Sequence, residues 1–180
     1  MTFIESETIE LKSSVVADLC KEVIAFANTK GGTLYIGVED NGTVIGVDSA
    51  DRVTLQINNM VRDSIKPDIT MFVHYETQVI DDKQIIAVTV QEGTDRPYYL
   101  GSKGLKPSGV YVRNGTSTDP TSDTAIRKMI KETDGDSFET MRSLEQNLSF
   151  QTAEAQFAKR KVPYDAAKMQ SLGMVSSDGI

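Results

Sequence analysis

The sequence holds a single cysteine, Cys20, so no internal disulfide can form. The thiol falls on the apolar side of a candidate helix, where a buried structural role suits it. There is also only one histidine, His74, which excludes zinc sites built on two histidines and repeated Cys/His clusters. A Ser-His-Asp arrangement would have to use His74 as its base, and no GxSxG elbow accompanies it. No apolar run approaches the ~20 residues of a membrane-spanning helix. The opening MTFIESETIELK has neither the basic start nor the apolar core of a secretion signal, so a cytoplasmic protein without membrane contact is expected. Positive charge is scarce as well. Nineteen Lys and Arg face 26 Asp and Glu, a net charge of -7, and such a balance argues against polyanionic partners.

The charge is unevenly spread, however. Residues 1–95 carry seven basic and sixteen acidic side chains, and residues 132–180 carry five and eight. Between them, Arg96, Lys103, Lys106, Arg113, Arg127, Lys128 and Lys131 are opposed only by Asp119 and Asp123. This segment is a candidate phosphate-facing surface; the alternative is a solvated face balanced in space by acidic neighbours. Tyr98, Tyr99 and Tyr111 are interleaved with it. They would either stack on unpaired bases or pack in the core.

Hydrophobic content of 39% and charged content of 25% describe a globular chain, and 180 residues suit one domain with an extension. Thr8 to Lys12 alternates as a strand, with Ile9 and Leu11 inward and Glu10 and Lys12 outward. Ser13 or Ser14 is placed to cap a helix whose stripe is Val16, Leu19, Val23, Ile24 and Ala27. Gly31-Gly32 closes it. Thr33–Val38 then reads as a central strand, and Asp40-Asn41-Gly42 predicts a hairpin returning through Thr43–Val47. Asp48 or Ser49 caps a second helix with a stripe of Val53, Ile57, Met60, Val61 and Ile65, stopped by Pro67. Thr70–Ile80 and Gln84–Gln91 form strands joined at Asp81-Asp82-Lys83. A loop-rich portion follows, with short strands at 98–100 and 110–113, and Thr121 or Ser122 opens a helix through Lys131. Strands and helices mixed in this order predict an α+β (mixed α/β) domain over residues 1–133, with a mixed sheet and packed helices. Residues 134–180 read as a linker, Asp134 to Ser137, and a helical extension over 150–161 and 163–172.

Gly31-Gly32 is not a phosphate loop of the usual kind. There the strand precedes the glycines and a helix N-terminus points at the phosphate; here the helix comes first, and its negative end faces them. The carboxylates are the other candidate chemistry. Glu5, Glu7 and Glu10 precede Lys12, and Glu39-Asp40 end a strand; carboxylates at strand ends can hold Mg²⁺ or Mn²⁺ and activate water. As surface ion pairs they would serve no such purpose and contribute only ~0–1 kcal/mol each.

Several of these motifs occur together in order. The run AFANTKGGTLYIGVEDNG, preceded by ESETIELK and followed by RPYYL and GVYVRNGTST, resembles the Schlafen AlbA-type DNA-binding domain, over roughly Ile4 to Ile130. That domain stands at the front of bacterial transcriptional regulators and helicase-related ATP-binding proteins. The resemblance implies DNA or RNA binding in a transcriptional regulator, with no cofactor required. Lys12, Arg96, Tyr98, Lys103, Lys106, Arg113, Arg127 and Lys128 are the candidate contacts. No helix-turn-helix or zinc-finger pattern is present to read bases. Related eukaryotic proteins are RNA endonucleases using two carboxylates of an E-S-x-x-x-E-F-K motif and one of an acidic pair. By that resemblance a Mg²⁺- or Mn²⁺-dependent nuclease would use Glu5, Glu10 and Asp40 as catalytic and metal residues, with Glu39 as a lesser candidate. Leu11 stands where the family has phenylalanine. In the family, tails such as this lead to an ATP-binding domain, so a missing C-terminal domain and a homo-oligomer or assembly role through the tail are further expectations.

Overall fold

The structure, a computed structural model, describes residues 3–133, 150–162 and 165–171. Two compact units are formed, Met1–Asp134 and Gly135–Ile180. In the first, β1 (Ile9–Lys12), β2 (Gly32–Ile36), β4 (Val73–Ile80) and β5 (Lys83–Val90) make one sheet in the order β1-β2-β5-β4. β1 runs parallel to β2, and the other neighbours are antiparallel. Helices α1 (Leu19–Ala27) and α2 (Ala50–Ser64) supply the main core, in which Leu19, Val23, Ile24, Phe26, Ile57 and Val61 meet Leu34, Ile36, Ile86 and Val88. On the opposite face Phe3, Leu11, Val38 and Ile85 form a second, smaller cluster. The expected α+β class with a mixed sheet is therefore what the chain folds into.

Helix α1 ends as its glycines require. Gly31 has φ +76° and donates its N–H to the Phe26 carbonyl at 2.9 Å. Its other end differs from expectation. The helix starts at Leu19 with Asp18 at the cap position, Ser13 and Ser14 lie upstream of it, and Val16 is exposed. Helix α2 is capped by Ser49, whose hydroxyl accepts the Arg52 N–H.

The hairpin expected over 33–47 does not form. Both edges of β2 are occupied, by β1 and by β5, so residues 43–47 have no edge to pair with. They fold back as a loop, joined by one bridge between Val38 and Val44. The amides of Ile45 and Gly46 both reach the carbonyl of Gly37, which sits at φ +95°. The strand expected from Thr70 begins only at Val73. Asp68 accepts both the backbone N–H and the hydroxyl of Thr70, at 2.9 and 2.8 Å, and winds Thr70–Phe72 into a 3₁₀ turn. The β4–β5 hairpin turns at Asp81 and Asp82, both at positive φ, as a two-residue connection demands.

Two small sheets complete the unit. β3 (Ile65–Lys66) pairs with β6 (Tyr99–Leu100), and β7 (Tyr111–Asn114) pairs with β8 (Ser117–Pro120), a strand that the sequence reading missed. Helix α3 (Asp123–Thr133) follows, with the Ser122 hydroxyl accepting the Ala125 N–H. In the second unit, α4 (Gln151–Lys159) and α5 (Ala166–Ser171) fall within the expected helical stretches. The expected linker at Asp134–Ser137 lies outside the described residues. No helix among the described residues is long and apolar enough to cross a membrane.

Candidate nucleic-acid interface

One buried amide ties the 96–113 region to the end of α1. Asn28, buried at the end of α1, donates from Nδ2 to the carbonyls of Tyr98 and Tyr111 at 2.9 and 3.0 Å, and its Oδ1 accepts the Tyr98 N–H at 2.8 Å. This one side chain thus bonds to both β7 and the start of β6 from the end of α1. Asparagine suits this place because it offers donors and an acceptor together without charge.

That docking buries two residues expected to meet a ligand. Tyr98 is 0% exposed and its hydroxyl accepts the Asp95 N–H at 3.3 Å, so it is a core side chain and no stacking platform. Burial also pushes its phenol pKa up. Arg113 shares the α1-facing side of β7 with Tyr111, and its side chain is 0% exposed. Its Nη1 lies 2.9 Å from Glu10 Oε2, 3.2 Å from Glu22 Oε2 and 3.0 Å from Thr118 Oγ1, while Nη2 donates to the Ser6 carbonyl at 2.8 Å. The guanidinium also sits 5.0 Å above the Phe26 ring. With this many internal partners and no exposure, it makes no phosphate contact.

The same cluster settles the place of the carboxylates. Glu10 lies on the helix side of β1 rather than outward, buried, with Arg113 on one oxygen and the Lys12 ammonium on the other. Lys12 is consequently committed within the protein. Burial by itself lowers its pKa, but the bond to Glu10 and the charges of Glu10, Glu22 and Glu5 raise it overall. Glu5 accepts the Leu11 N–H at 3.4 Å. The carboxylate that shares Arg113 with Glu10 is Glu22 of α1. Burial raises its pKa, although the Thr118 hydroxyl donates to it and lowers it in part. Asp40 and Glu39 are exposed beyond β2 and line an open cleft of about 390 Å³ with Ser13 and Asn41. Among the described residues no three carboxylate, imidazole or thiol groups gather to hold a metal ion, so Glu5, Glu10 and Asp40 do not form that set. Glu22 was invisible to sequence reasoning because only the fold brings it, across 96 and 91 positions, to Thr118 and Arg113.

What remains outside is a cluster of lysines. Lys103 and Lys21, from the loop after β6 and from α1, each place Nζ 5.8 Å from the centre of the Tyr111 ring. Tyr111 is itself buried, and its hydroxyl accepts from Lys103 Nζ at 3.1 Å and donates to the Ser108 carbonyl at 2.9 Å. Lys106 is exposed on the same loop, which is braced internally. The Gly109 and Val110 amides reach the Lys106 carbonyl, and the Lys103 and Gly104 amides reach that of Leu100. Lys21 also pairs with Asp18 at 2.7 Å, a bond that raises its pKa. Lys21 was absent from the expected contacts, for its position beside an apolar stripe marks only a helix flank. The remaining candidates are divided. Arg96 is bound to Glu92 at 2.7 Å and Lys128 to Glu132 at 3.7 Å, whereas Arg127 is exposed without an ion-pair partner among the described residues.

An α+β domain with a mixed four-stranded sheet, a helix docked by a buried amide and an exposed lysine loop is the class that fold and site define. Its family follows from sequence: the model of the family Schlafen, AlbA_2 matches residues 5–122, 118 of the 180, and the chain belongs to that family. Among solved structures it is similar to the N-terminal domain of a protein described as related to the ATP-dependent DNA helicase RecG, from Nitrosomonas europaea. That similarity has 29% identity and a TM-score of 0.49, over 63% of this chain and 82% of that one. It is also similar in fold to the DIP2311 protein from Corynebacterium diphtheriae, at 15% identity and a TM-score of 0.54, covering 96% of this chain and 33% of the other. No curated protein matches the chain.

Proposed function

We propose that this domain binds nucleic acid along the sugar–phosphate backbone through Lys21, Lys103 and Lys106, as a module of a transcriptional regulator. The observation that carries the reading is the convergence of two lysines, from separate elements, on the buried Tyr111 ring. A polyanion in contact with these ammonium groups releases its own counterions, and Lys21 would exchange its Asp18 partner for a phosphate. Because Tyr98 and Tyr111 are buried, neither stacks on a base; Tyr99 is half-buried, and the lysine contacts are ionic and indifferent to base sequence. Membership of the Schlafen, AlbA_2 family supports the same reading.

A salt titration of binding to duplex DNA, single-stranded DNA and RNA, each in chelator and in Mn²⁺, tests it. Three lysine–phosphate pairs predict that log K falls against log salt with a slope of about -3 on duplex DNA, and that chelator has no effect. Lys103→Gln with Lys106→Gln should lower the slope by about 2, at roughly 0.9 for each phosphate no longer neutralised. Retention of full affinity by that double variant would remove the lysine surface from the function. Mn²⁺-dependent cleavage products would instead move the domain to the metal-dependent nucleases.

A further inference from the structure

We infer that strand β4 is a self-association edge, pairing antiparallel with β4 of a second copy about a two-fold axis at Thr77 to give one continuous eight-stranded sheet. β4 ends the sheet order, and among the described residues no strand pairs with its outer edge. Eight residues long, it carries none of the devices that blunt a free edge: no proline, no lysine and no bulge in its register with β5. Glu76 is its one charged side chain. Two large apolar side chains stand exposed on or beside it, Val79 at 66% and Met71 at 86%.

The sequence of the strand selects the partner and the register. In an antiparallel pair residues directly opposite share a face, so the axis must pass through a residue. With the axis at Glu76, two carboxylates would oppose each other at the centre of the dyad, which is unfavourable. With the axis at Thr77, Glu76 faces Gln78 of the second copy. This is a pairing that the two side chains can make, since Gln78 Nε2 already donates to Glu76 Oε2 at 2.6 Å within one strand. Val79 then faces Tyr75, His74 faces Ile80, and the threonines face each other. Residues 74–80 of each strand are matched. This register thus removes the charge clash and sets the exposed Val79 against Tyr75.

The 180-residue chain should sediment at twice its 19.7 kDa mass. Thr77 is exposed, so Thr77→Lys leaves the fold intact and sets two ammonium groups face to face; self-association should weaken at least tenfold. Thr77→Glu should do the same, and an equimolar mixture of the two variants should restore the dimer. Thr77→Cys should give a disulfide-linked dimer under mild oxidation, since opposed residues lie within bonding reach, while Val79→Cys should not. Monomers at all concentrations would overturn the inference. So would a dimer untouched by Thr77→Lys, which would assign the interface to another surface such as the tail, or failure of Thr77→Cys to cross-link.

Discussion

Replacing Arg113 by methionine tests the interior of this domain most directly. Methionine keeps the length and the packing over Phe26, so the change is chiefly one of charge. It removes the guanidinium shared by Glu10 and Glu22, whose side chains are 7% and 13% exposed. Breaking a buried ion pair by removing one partner costs ~3–5 kcal/mol, because the remaining charge is left desolvated and unpaired. Here the loss should fall near the lower end, about 3 kcal/mol, since Lys12 still holds Glu10 and Thr118 still donates to Glu22. With a urea m-value of ~2 kcal/mol/M, the unfolding midpoint should drop by about 1.5 M. Circular dichroism reads it. Adding Glu22→Gln should recover part of the loss by removing one stranded carboxylate, a coupling that a double-mutant cycle isolates. A drop below about 1 kcal/mol, with no recovery in the double variant, would mean that the cluster is hydrated and contributes little.

Two further outcomes follow from groups in the same region. Asn28→Ala deletes three hydrogen bonds and leaves backbone groups of Tyr98 and Tyr111 without partners, each worth ~1–3 kcal/mol, so thermal unfolding should fall sharply with β6 and β7 loosened first in hydrogen exchange; an unchanged melting temperature would refute the bracing role. Glu22 has a folded pKa raised above its unfolded value, so its contribution is fully present below the unfolded pKa, ~4.3, and is lost as pH rises through the higher folded value. Glu22→Gln should therefore flatten the decline of stability with rising pH across that window; an unaltered pH profile would show that the carboxylate does not titrate there.

Much of the scaffold was legible because its signals are local. Ser49 precedes the apolar stripe of α2, and Asp81-Asp82 sits between two β-prone runs, so cap and turn chemistry specify those elements without outside help. The 33–47 hairpin misled because turn residues at 40–42 are compatible with a return strand, while the neighbours that occupy β2 come from residues 9–12 and 83–90. The site was less legible still. In V-Y-V-R the alternation gives faces but no depth, and β7 turns Tyr111 and Arg113 together towards α1. A basic residue there reads as solvent-facing until Glu10 and Glu22 are seen to await it. Lys103 and Lys106 escaped this because a glycine-rich loop seldom enters a core.

The partnership of Arg113 with Glu10 has a topological consequence. All four strands of the main sheet lie between residues 9 and 90, yet the bond that neutralises β1 arrives from 103 positions away. A fragment ending in the loop after β5 would contain every strand of the sheet but leave Glu22 without its guanidinium and Glu10 with Lys12 alone. The smallest autonomous piece of this protein is set by where its buried charges cancel, well past the point where its sheet is complete.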